Sequence, residues 1–124
     1  MVCPGKLKVC PAGTYADTTA DDPGYMIFTS GTSGTPKGVL HAQRAIWGRR
    51  PMYEGWYGIS PSDVILHTGA FNWTYTLGTG LFDPFANGCT SVVYTGAKDD
   101  AVWATLIARH GVTVMASLPG IYRH

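Results

Sequence analysis

Short apolar runs alternate with longer, mixed stretches along most of this chain. The clearest short run is YMIF at residues 25–28, which is typical of a buried strand. Later runs are rich in β-branched and aromatic residues, which favour strands. The short runs together predict strands at 25–29, 39–41, 64–67, 90–94 and 112–116. The mixed stretches between them predict helices at 42–57, 74–86 and 100–110.

Proline, glycine and acidic residues mark where the predicted helices begin, break or end. Pro51 lacks a backbone N–H and clashes with the preceding turn, so we expect it to kink or split the first helix. Asn87 and Gly88 form a signal that ends the second helix. Asp99 places negative charge at the start of the third helix, where it suits the helix dipole, and Gly111 ends that helix.

Strands that alternate with helices predict an α/β fold. We expect a layered unit with a largely parallel sheet and alternating helices. In open parallel sheets, ligands collect at the carboxyl ends of the strands. Three loops leave such ends, at 29–38, at 68–73 and near Ala116 and Ser117. The sequence therefore predicts that these three loops line one crevice.

One domain is the most that 124 residues are expected to form. Residues 1–20 predict an irregular lead-in, with 6–10 as a candidate edge strand, and residues 21–124 carry the domain. The hydrophobic share of 45% and the mean hydropathy of +0.03 are ordinary for a globular protein. Charged residues make up only 14%, well below the usual quarter, which suggests a piece of something larger.

The charge balance argues against a nucleic-acid partner. The net charge is +1, so the chain has no strong positive field. Arg44, Arg49 and Arg50 form a local basic cluster, which is more typical of a solvated face. The start lacks the layout of a signal peptide, and no stretch reaches the apolar length of a membrane span. We therefore expect neither nucleic-acid binding nor a membrane span.

Cysteine and histidine give no sign of a disulfide framework or a metal site. Cys3, Cys10 and Cys89 are odd in number and lack C-x-x-C spacing. The four histidines are scattered, so we expect no metal site built by the chain itself. Reduced thiols are simplest to explain in a cytoplasmic compartment, which is the predicted location.

Residues 29–38, TSGTSGTPKG, hold the most informative chemistry of the chain. This stretch, called the signature loop below, combines five hydroxyls, three glycines and one lysine directly after a predicted strand. Glycines let backbone N–H groups turn inward to form an anion-binding nest. The hydroxyls add neutral donors, and Lys37 adds a positive charge. This composition favours a phosphate-binding loop.

Two familiar phosphate-binding patterns do not fit. In a Walker A pattern counted from Gly31, the second glycine falls on Pro36, and Gly38 replaces the hydroxyl residue after the lysine. The dinucleotide pattern G-x-G-x-x-G is nearest at Gly78, but Asp83 replaces its third glycine. The loop is therefore of another kind.

The signature loop resembles the adenylate-forming superfamily pattern [ST]-S-G-[ST]-[ST]-G-x-P-K-G at every specified position. Further stretches resemble acetyl-CoA synthetase and the related short-chain, medium-chain or aryl acyl-CoA synthetases. These stretches are GVLH at 38–41, SPSDV at 60–64, FNW at 71–73, LFDPFANG at 81–88 and HGVTV at 110–114. The resemblance covers residues 21–124 and implies a partial N-terminal domain of an acyl-CoA synthetase-like fold.

What the resemblance implies is a two-step reaction. A carboxylic acid reacts with ATP to give an acyl-adenylate and pyrophosphate, and coenzyme A then takes the acyl group, with Mg²⁺ bridging the ATP phosphates. The alternative for this stretch is a flexible Ser/Gly turn without a ligand. The implied ATP phosphate ligands are Thr29, Ser30, Gly31, Thr32, Ser33, Gly34, Thr35 and Lys37.

A second implied site is the crevice for the acyl group and the nucleotide, at Phe71, Asn72 and Trp73. Related proteins often carry an acidic residue just before this tryptophan, and this chain lacks it. Its local surface is more apolar and neutral, which favours a larger aryl or alicyclic acid over acetate. The alternative is that Phe71 and Trp73 are simply core. Four further side chains are predicted as core: Tyr75, Tyr94, Leu106 and Ile107.

His67 ends a predicted buried strand, so a core histidine is favoured over a catalytic one. The later superfamily motifs, including the catalytic lysine of the C-terminal domain, are absent from the chain. We expect a fragment with no catalytic residue of its own, no ligase activity alone, and a tendency to self-associate through uncovered apolar faces. Two alternatives stay open: an adenylation module that loads a carrier-protein thiol, and a non-catalytic scaffold or interaction piece.

Overall fold

The computed structural model of this chain describes residues 13–31, 34–97 and 99–123. The predicted edge strand at 6–10 lies outside these residues, as does most of the predicted lead-in. The strands are β1 (Pro23–Thr29), β2 (Lys37–Ala42), β3 (Val64–His67), β4 (Thr90–Val92) and β5 (Val114–Ala116). The helices are α1 (Pro51–Gly55), α2 (Thr74–Leu77), α3 (Asp83–Ala86) and α4 (Asp100–His110).

Three strands form the parallel sheet that the sequence predicts. Their order is β4-β3-β5, and both pairs are parallel, with Leu66 opposite Val92 and Ile65 opposite Val114. The central strand is an uninterrupted apolar run, as expected for a strand covered on both faces, and Ile65 and Leu66 are almost fully buried. The α/β class with a parallel sheet is confirmed.

β1 and β2 form a separate, antiparallel two-stranded sheet. Only residues 30–36 connect the two strands, which is too short for the crossover that parallel strands require. On one face of this hairpin Ile27 is buried, and the ring of Tyr25 stacks on His41 at a centroid distance of 4.5 Å. The signature loop therefore leaves the tip of a hairpin and not an edge of the parallel sheet.

The helix predicted at 42–57 is split, as Pro51 indicates, but it is also much shorter than predicted. Residues Gln43–Ala45 and Trp47–Arg49 form single 3₁₀ turns, and only α1 is an α-helix. Pro51 occupies the first turn of α1, where its missing N–H costs nothing. The chain thus passes from β2 to β3 through short helical turns and one short helix.

The helix predicted at 74–86 is present as a continuous helical segment, with a π-helical turn between two short α-helices. Between α2 and α3, residues Gly78–Phe82 form a π-helical turn. A Cβ at Gly78 would clash with the guanidinium carbon of Arg49, so glycine lets the arginine pack closely there. π-turns of this kind often occur at functional sites.

The helix predicted at 100–110 is confirmed as α4. Asp99 caps its first turn, because the carboxylate Oδ1 accepts a hydrogen bond from the Val102 N–H at 2.8 Å. Gly111 ends it in the left-handed conformation, with φ of 61°. Among the described residues, no helix has the length and apolar character needed to cross a membrane.

The core lies beneath the parallel sheet, where Ile59, Ile65 and Cys89 pack with Tyr53 and Tyr57. The predicted core is only partly correct. Four side chains assigned to it are half-buried rather than buried, because the sheet has only three strands and leaves its flanks open. They are Tyr75, Tyr94, Leu106 and Ile107.

Candidate functional site

The signature loop joins the two hairpin strands, and its two ends stand opposite each other. Thr29 pairs with Lys37, and the Thr29 hydroxyl donates a hydrogen bond to the Lys37 carbonyl oxygen at 3.5 Å. The loop turns back through Gly31 and Gly34, whose φ angles of 58° and 76° are left-handed. A Cβ at Gly31 would stand 2.9 Å from the carbonyl oxygen of Thr35, so glycine permits this close approach.

The described hydroxyl and ammonium groups of the loop face solvent. Ser30, Thr35 and Lys37 are exposed. Carbons Cδ and Cε of Lys37 lie 3.7 Å from the position of a Gly31 Cβ, so the lysine lies alongside the turn. Within the described residues, no ion pair engages Lys37. The remaining predicted phosphate ligands fall outside the described residues: Thr32 and Ser33.

The other two predicted loops meet at the carboxyl ends of β3 and β5. The Thr68 and Ser117 hydroxyl oxygens are 2.6 Å apart, and the Thr68 N–H donates to the Ala116 carbonyl oxygen at 3.2 Å. The argument from a shared sheet edge is wrong for the signature loop, because β1 belongs to the separate hairpin. The hairpin instead contacts the helical segment that follows the 68–73 loop, where the Tyr25 ring meets the Phe82 ring edge-on at 5.2 Å.

Trp73 lies at the surface where the 68–73 loop becomes α2. Its side chain is 46% exposed, so the alternative of a core tryptophan is wrong, whereas Phe71 is half-buried and Asn72 is exposed. The Trp73 carbonyl accepts the first helical hydrogen bond, from Leu77 at 2.9 Å. The Trp73 ring meets Tyr75 edge-on at 6.0 Å. The tryptophan is thus placed at the start of the helix with nearly half of its side chain exposed to solvent.

His67 is a core residue, as the sequence favours. It is only 3% exposed, and its Nδ1 accepts a hydrogen bond from the Gly69 N–H at 2.9 Å. A Cβ at Gly80 would stand 2.8 Å from the His67 Cβ, and the Tyr75 ring packs on the imidazole edge-on at 4.7 Å. The histidine fills the space between β3 and the helix that follows Trp73.

Arg49 contradicts the prediction that the basic cluster is a solvated face. Its side chain is only 18% exposed and makes two contacts of 2.6 Å with Asp83, which is completely buried. Tyr57 donates a further hydrogen bond to the same carboxylate. Arg44 and Arg50 are exposed, as predicted. The buried ion pair raises the pKa of Arg49 through its hydrogen bond to Asp83.

Sequence reasoning missed this cluster, although one signal was available. Asp83 lies within an apolar helical stretch, LFDPFA at 81–86, and an acid in such a place must be paired. Burial, and then the hydrogen bond to Asp83, raise the pKa of Tyr57 far above its ordinary value. The tyrosine hydroxyl therefore stays protonated and remains a donor to the carboxylate.

The structure supplies no protein-built metal site in the residues that it describes. No group of three or more His, Cys, Asp and Glu side chains there is arranged to hold a metal ion. The signature loop itself contains hydroxyls and one lysine but no carboxylate. These donors suit a phosphate better than a bare divalent cation, which prefers carboxylate oxygens.

Comparison with known families agrees with the loop and the fold. Residues 6–124 match the family model described as AMP-binding enzyme, so the chain belongs to this family. A benzoate CoA ligase from Burkholderia xenovorans LB400 has a similar structure, with a TM-score of 0.77 and 27% identity over 90% of this chain and 22% of the other. The fold is therefore part of an acyl-CoA ligase N-terminal domain.

Three curated relatives are similar to this chain in sequence. The 3-hydroxybenzoate–CoA/4-hydroxybenzoate–CoA ligase of Thauera aromatica is 35% identical over 84% of this chain and 20% of its own length. Acetyl-coenzyme A synthetase of Psychrobacter cryohalolentis is 32% identical over 84% of this chain and 16% of its length. Pyochelin synthetase PchF of Pseudomonas aeruginosa is 32% identical over 88% of this chain and 6% of its length. The chain therefore spans one fifth or less of the length of these relatives.

Proposed function

We propose that the chain is part of an ATP-dependent acid–thiol ligase. The complete enzyme converts a carboxylic acid into an acyl-adenylate and then transfers the acyl group to coenzyme A. The observation that carries this proposal is the signature loop: Gly31 and Gly34 turn the chain at the tip of an antiparallel hairpin, and Lys37 lies alongside Gly31. Membership of the AMP-binding enzyme family supports the same chemistry.

The loop is suited to the β- and γ-phosphates of ATP. The hydroxyls of Ser30 and Thr35 and backbone N–H groups near Gly31 act as neutral donors, and Lys37 supplies the charge. The Thr29 hydroxyl joins them by turning away from the Lys37 carbonyl oxygen. We extend the proposal to the remaining loop residues, Thr32, Ser33 and Gly34. Mg²⁺ is carried by the ATP phosphates, where it neutralises part of their charge.

The first step has an electrostatic problem that this loop solves. The substrate carboxylate attacks the α-phosphorus of ATP, a new bond forms between its oxygen and that phosphorus, and the bond to the β-phosphate oxygen breaks. Charge then grows on the leaving pyrophosphate. Donors that are already oriented around this group stabilise the charge without reorganising. We assign this role to the hydroxyls of the loop and to Lys37.

The acid is proposed to bind beside the 68–73 loop. Phe71, Asn72 and Trp73 present an apolar and neutral surface there, and Trp73 remains open to a ligand. An aromatic acid suits such a surface, because ring stacking adds to the burial of apolar area. The similarity to a ligase named for hydroxybenzoates supports an aryl acid over acetate.

Similarity to a pyochelin synthetase favours one alternative, an adenylation module whose acceptor is a carrier-protein thiol. We place the protein in the cytoplasm, where both ATP and reduced thiols are available. We propose that this chain alone does not complete the ligase reaction, because its residues supply the phosphate grip but no catalytic group. An inert interaction piece is the remaining alternative.

Titration with Mg-ATP and with pyrophosphate tests whether the signature loop binds phosphate. Calorimetry is expected to detect both ligands with the unmodified chain, and Lys37→Ala is expected to lose about tenfold in affinity or more, because it removes a charged donor. Arg44→Ala is the matched control, since it removes one exposed positive charge away from the loop. Equal, negligible binding by all three chains would favour the inert piece.

A further inference from the structure

Arg49 contacts one helical segment at three residues: Gly78, Thr79 and Asp83. Its Nε and Nη2 contact the two carboxylate oxygens of Asp83 at 2.6 Å each, and Nη2 donates to the Thr79 hydroxyl at 3.4 Å. Its guanidinium also lies against the backbone at Gly78, where any Cβ would clash. A planar fork fixed at three places defines both the position and the rotation of the segment.

This cluster is poorly explained as a device for stability alone. Asp83 is completely buried and the Arg49 side chain is 18% exposed, and removing charges from water offsets much of their attraction. A pair of apolar side chains would fill the same space. Instead, the two hydrogen bonds from the Arg49 guanidinium fix the orientation of the Asp83 carboxylate, and the Tyr57 hydroxyl donates a third to it.

Two routes connect the cluster to Trp73. The first is the helical backbone, which runs without a break from Asp83 through the π-helical turn to the first turn of α2. The second is a chain of aromatic contacts from Tyr57 to Trp56 at 4.9 Å, from Trp56 to Tyr75 at 6.2 Å, and from Tyr75 to Trp73 at 6.0 Å. Both routes end at the loop proposed to bind the acid.

The cluster also borders the hairpin that carries the signature loop. Tyr25 of β1 meets the ring of Phe82, the residue next to Asp83, and stacks on His41 of β2. Arg49 itself lies in the second 3₁₀ turn after β2. Burial raises the pKa of the Tyr25 hydroxyl, while the nearby charges of Arg49 and Asp83 act on it in opposite directions.

We infer that Arg49 and Asp83 are positioning residues that hold the signature-loop hairpin and the 68–73 loop in a fixed relation to each other. Their catalytic meaning rests on the proposed function, in which one loop binds phosphate and the other binds the acid. Neither residue is proposed to touch a substrate. They determine where Trp73 lies relative to the signature loop.

The first test uses no ligand. The indole N–H resonances of the ¹⁵N-labelled chain are recorded, and the Trp73 signal is assigned with Trp73→Phe. The variant Arg49→Met/Asp83→Leu is expected to fold with a similar denaturant midpoint, because both charges leave together. We expect a displaced or broadened Trp73 signal and an unmoved signal from Trp103, which is buried in α4.

Arg50→Met is the matched control, because Arg50 is exposed and lies over the Trp47 ring, 4.8 Å from its centroid. It is expected to leave the Trp73 signal in place. If the double variant does not fold, Arg49→Lys carries the same test, since it keeps the charge but loses the fork. An unmoved Trp73 signal in a folded variant would overturn the inference.

The second test separates this inference from the proposed function. Mg-ATP is expected to bind at the signature loop, whereas a benzoyl-sulfamoyl adenosine mimic of the acyl-adenylate must also contact the 68–73 loop. Arg49→Lys is expected to weaken the mimic by about tenfold and to leave Mg-ATP affinity unchanged, in keeping with the cost of a misplaced group. Equal weakening of both ligands would overturn the positioning role. If the unmodified chain binds neither ligand, the proposed function fails and the Trp73 signal alone decides the inference.

Discussion

The guanidinium of Arg49 and the carboxylate of Asp83 meet through two contacts of 2.6 Å although they are 34 positions apart in sequence. The pair joins the turns that follow the hairpin to the helical segment that follows Trp73. It is the one ion pair within the described residues whose carboxylate is completely buried. Single and double substitutions of the two residues measure how much the pair contributes to the free energy of unfolding.

Removing one partner of this pair is expected to destabilise the chain far more than removing both. Asp83→Leu or Arg49→Met leaves an uncompensated buried charge and is expected to cost about 3–5 kcal/mol, whereas the double variant recovers most of this loss. Urea unfolding followed by circular dichroism measures the free energies. The surface pair Arg44–Asp21 is the control, and Arg44→Met is expected to change stability by less than about 1 kcal/mol. Additive single effects would contradict the prediction.

Gly31→Ala is expected to weaken nucleotide binding as well as stability. The substitution places a Cβ 2.9 Å from the Thr35 carbonyl oxygen in a left-handed residue, so the loop must open. Gly58→Ala is a close control, because Gly58 has φ of 57° and open space around it. Each variant is expected to lose about 1–2 kcal/mol of stability from the left-handed strain. Only Gly31→Ala is expected to lower Mg-ATP affinity in calorimetry, and equal affinities would count against the proposed loop.

Acid stability is expected to depend on Asp63, which lies just before β3. Hydrogen bonds from the Thr113 hydroxyl, and then from the Ser60 N–H and hydroxyl, lower the pKa of Asp63 from its ordinary value of 3.8. A lowered folded-state pKa means that the ionised carboxylate stabilises the fold above pH 3.8. This contribution is lost as the pH falls below 3.8 and through the lowered value.

Asp63→Asn is therefore expected to reduce the urea midpoint at pH 7 and to flatten its decline at acidic pH. Asp17→Asn is the control, because Asp17 is exposed and lies outside the strands and helices. Midpoints measured from pH 7 down to pH 3 give the comparison. A decline as steep in Asp63→Asn as in the unmodified chain would show that other groups dominate the acid response.

Much of the architecture could be predicted because its causes are local. The apolar run of β3 and the boundaries of α4, with Asp99 before it and Gly111 after it, are set by neighbouring residues. The role of Arg49 could not be found in this way, since its partner lies 34 positions away and three arginines near one another suggest a surface. The π-helical turn begins at Gly78, where the same arginine packs against the backbone.

In the candidate site too, features set by neighbouring residues could be predicted, and features set by distant contacts could not. The order of residues in the signature loop predicted a phosphate grip, and the structure places that loop on an antiparallel hairpin instead of the predicted parallel sheet. The order of residues does not decide between a hairpin and a pair of parallel strands. The length of the connection does, because residues 30–36 are too few for a parallel crossover. The exposure of Trp73 depends on how α2 packs, which no local pattern encodes.

Trp73→Ala is expected to weaken ligand binding without greatly changing stability. The side chain is 46% exposed, so little buried area is lost on substitution. Affinity for the benzoyl-sulfamoyl adenosine mimic is expected to fall by about tenfold, in keeping with the loss of an aromatic contact of about 1 kcal/mol and its apolar area. Trp47→Ala is the control, since Trp47 is 66% exposed and lies in the turns after the hairpin. Unchanged affinity in Trp73→Ala would remove this residue from the acyl crevice.

Self-association is expected through the outer face of the hairpin. Met26 and Leu40 are cross-strand partners and Phe28 lies on the same face, since alternate residues of a strand share a face. They are 50%, 56% and 68% exposed, whereas Ile27 on the opposite face is 5% exposed. A contiguous apolar face of this kind tends to be covered by another surface. A second copy of the chain is the occupant that is always available in solution.

Sedimentation velocity over a range of concentrations is expected to show a dimer or larger species for the unmodified chain. Leu40→Lys is expected to shift the distribution toward the monomer, because a charge on the face must be desolvated in any association. Val93→Lys is the control, since Val93 is also 51% exposed but follows β4 in the other sheet. A monomer at all concentrations in the unmodified chain would refute the prediction. An equal shift in both variants would assign the association to general apolar exposure and not to the hairpin.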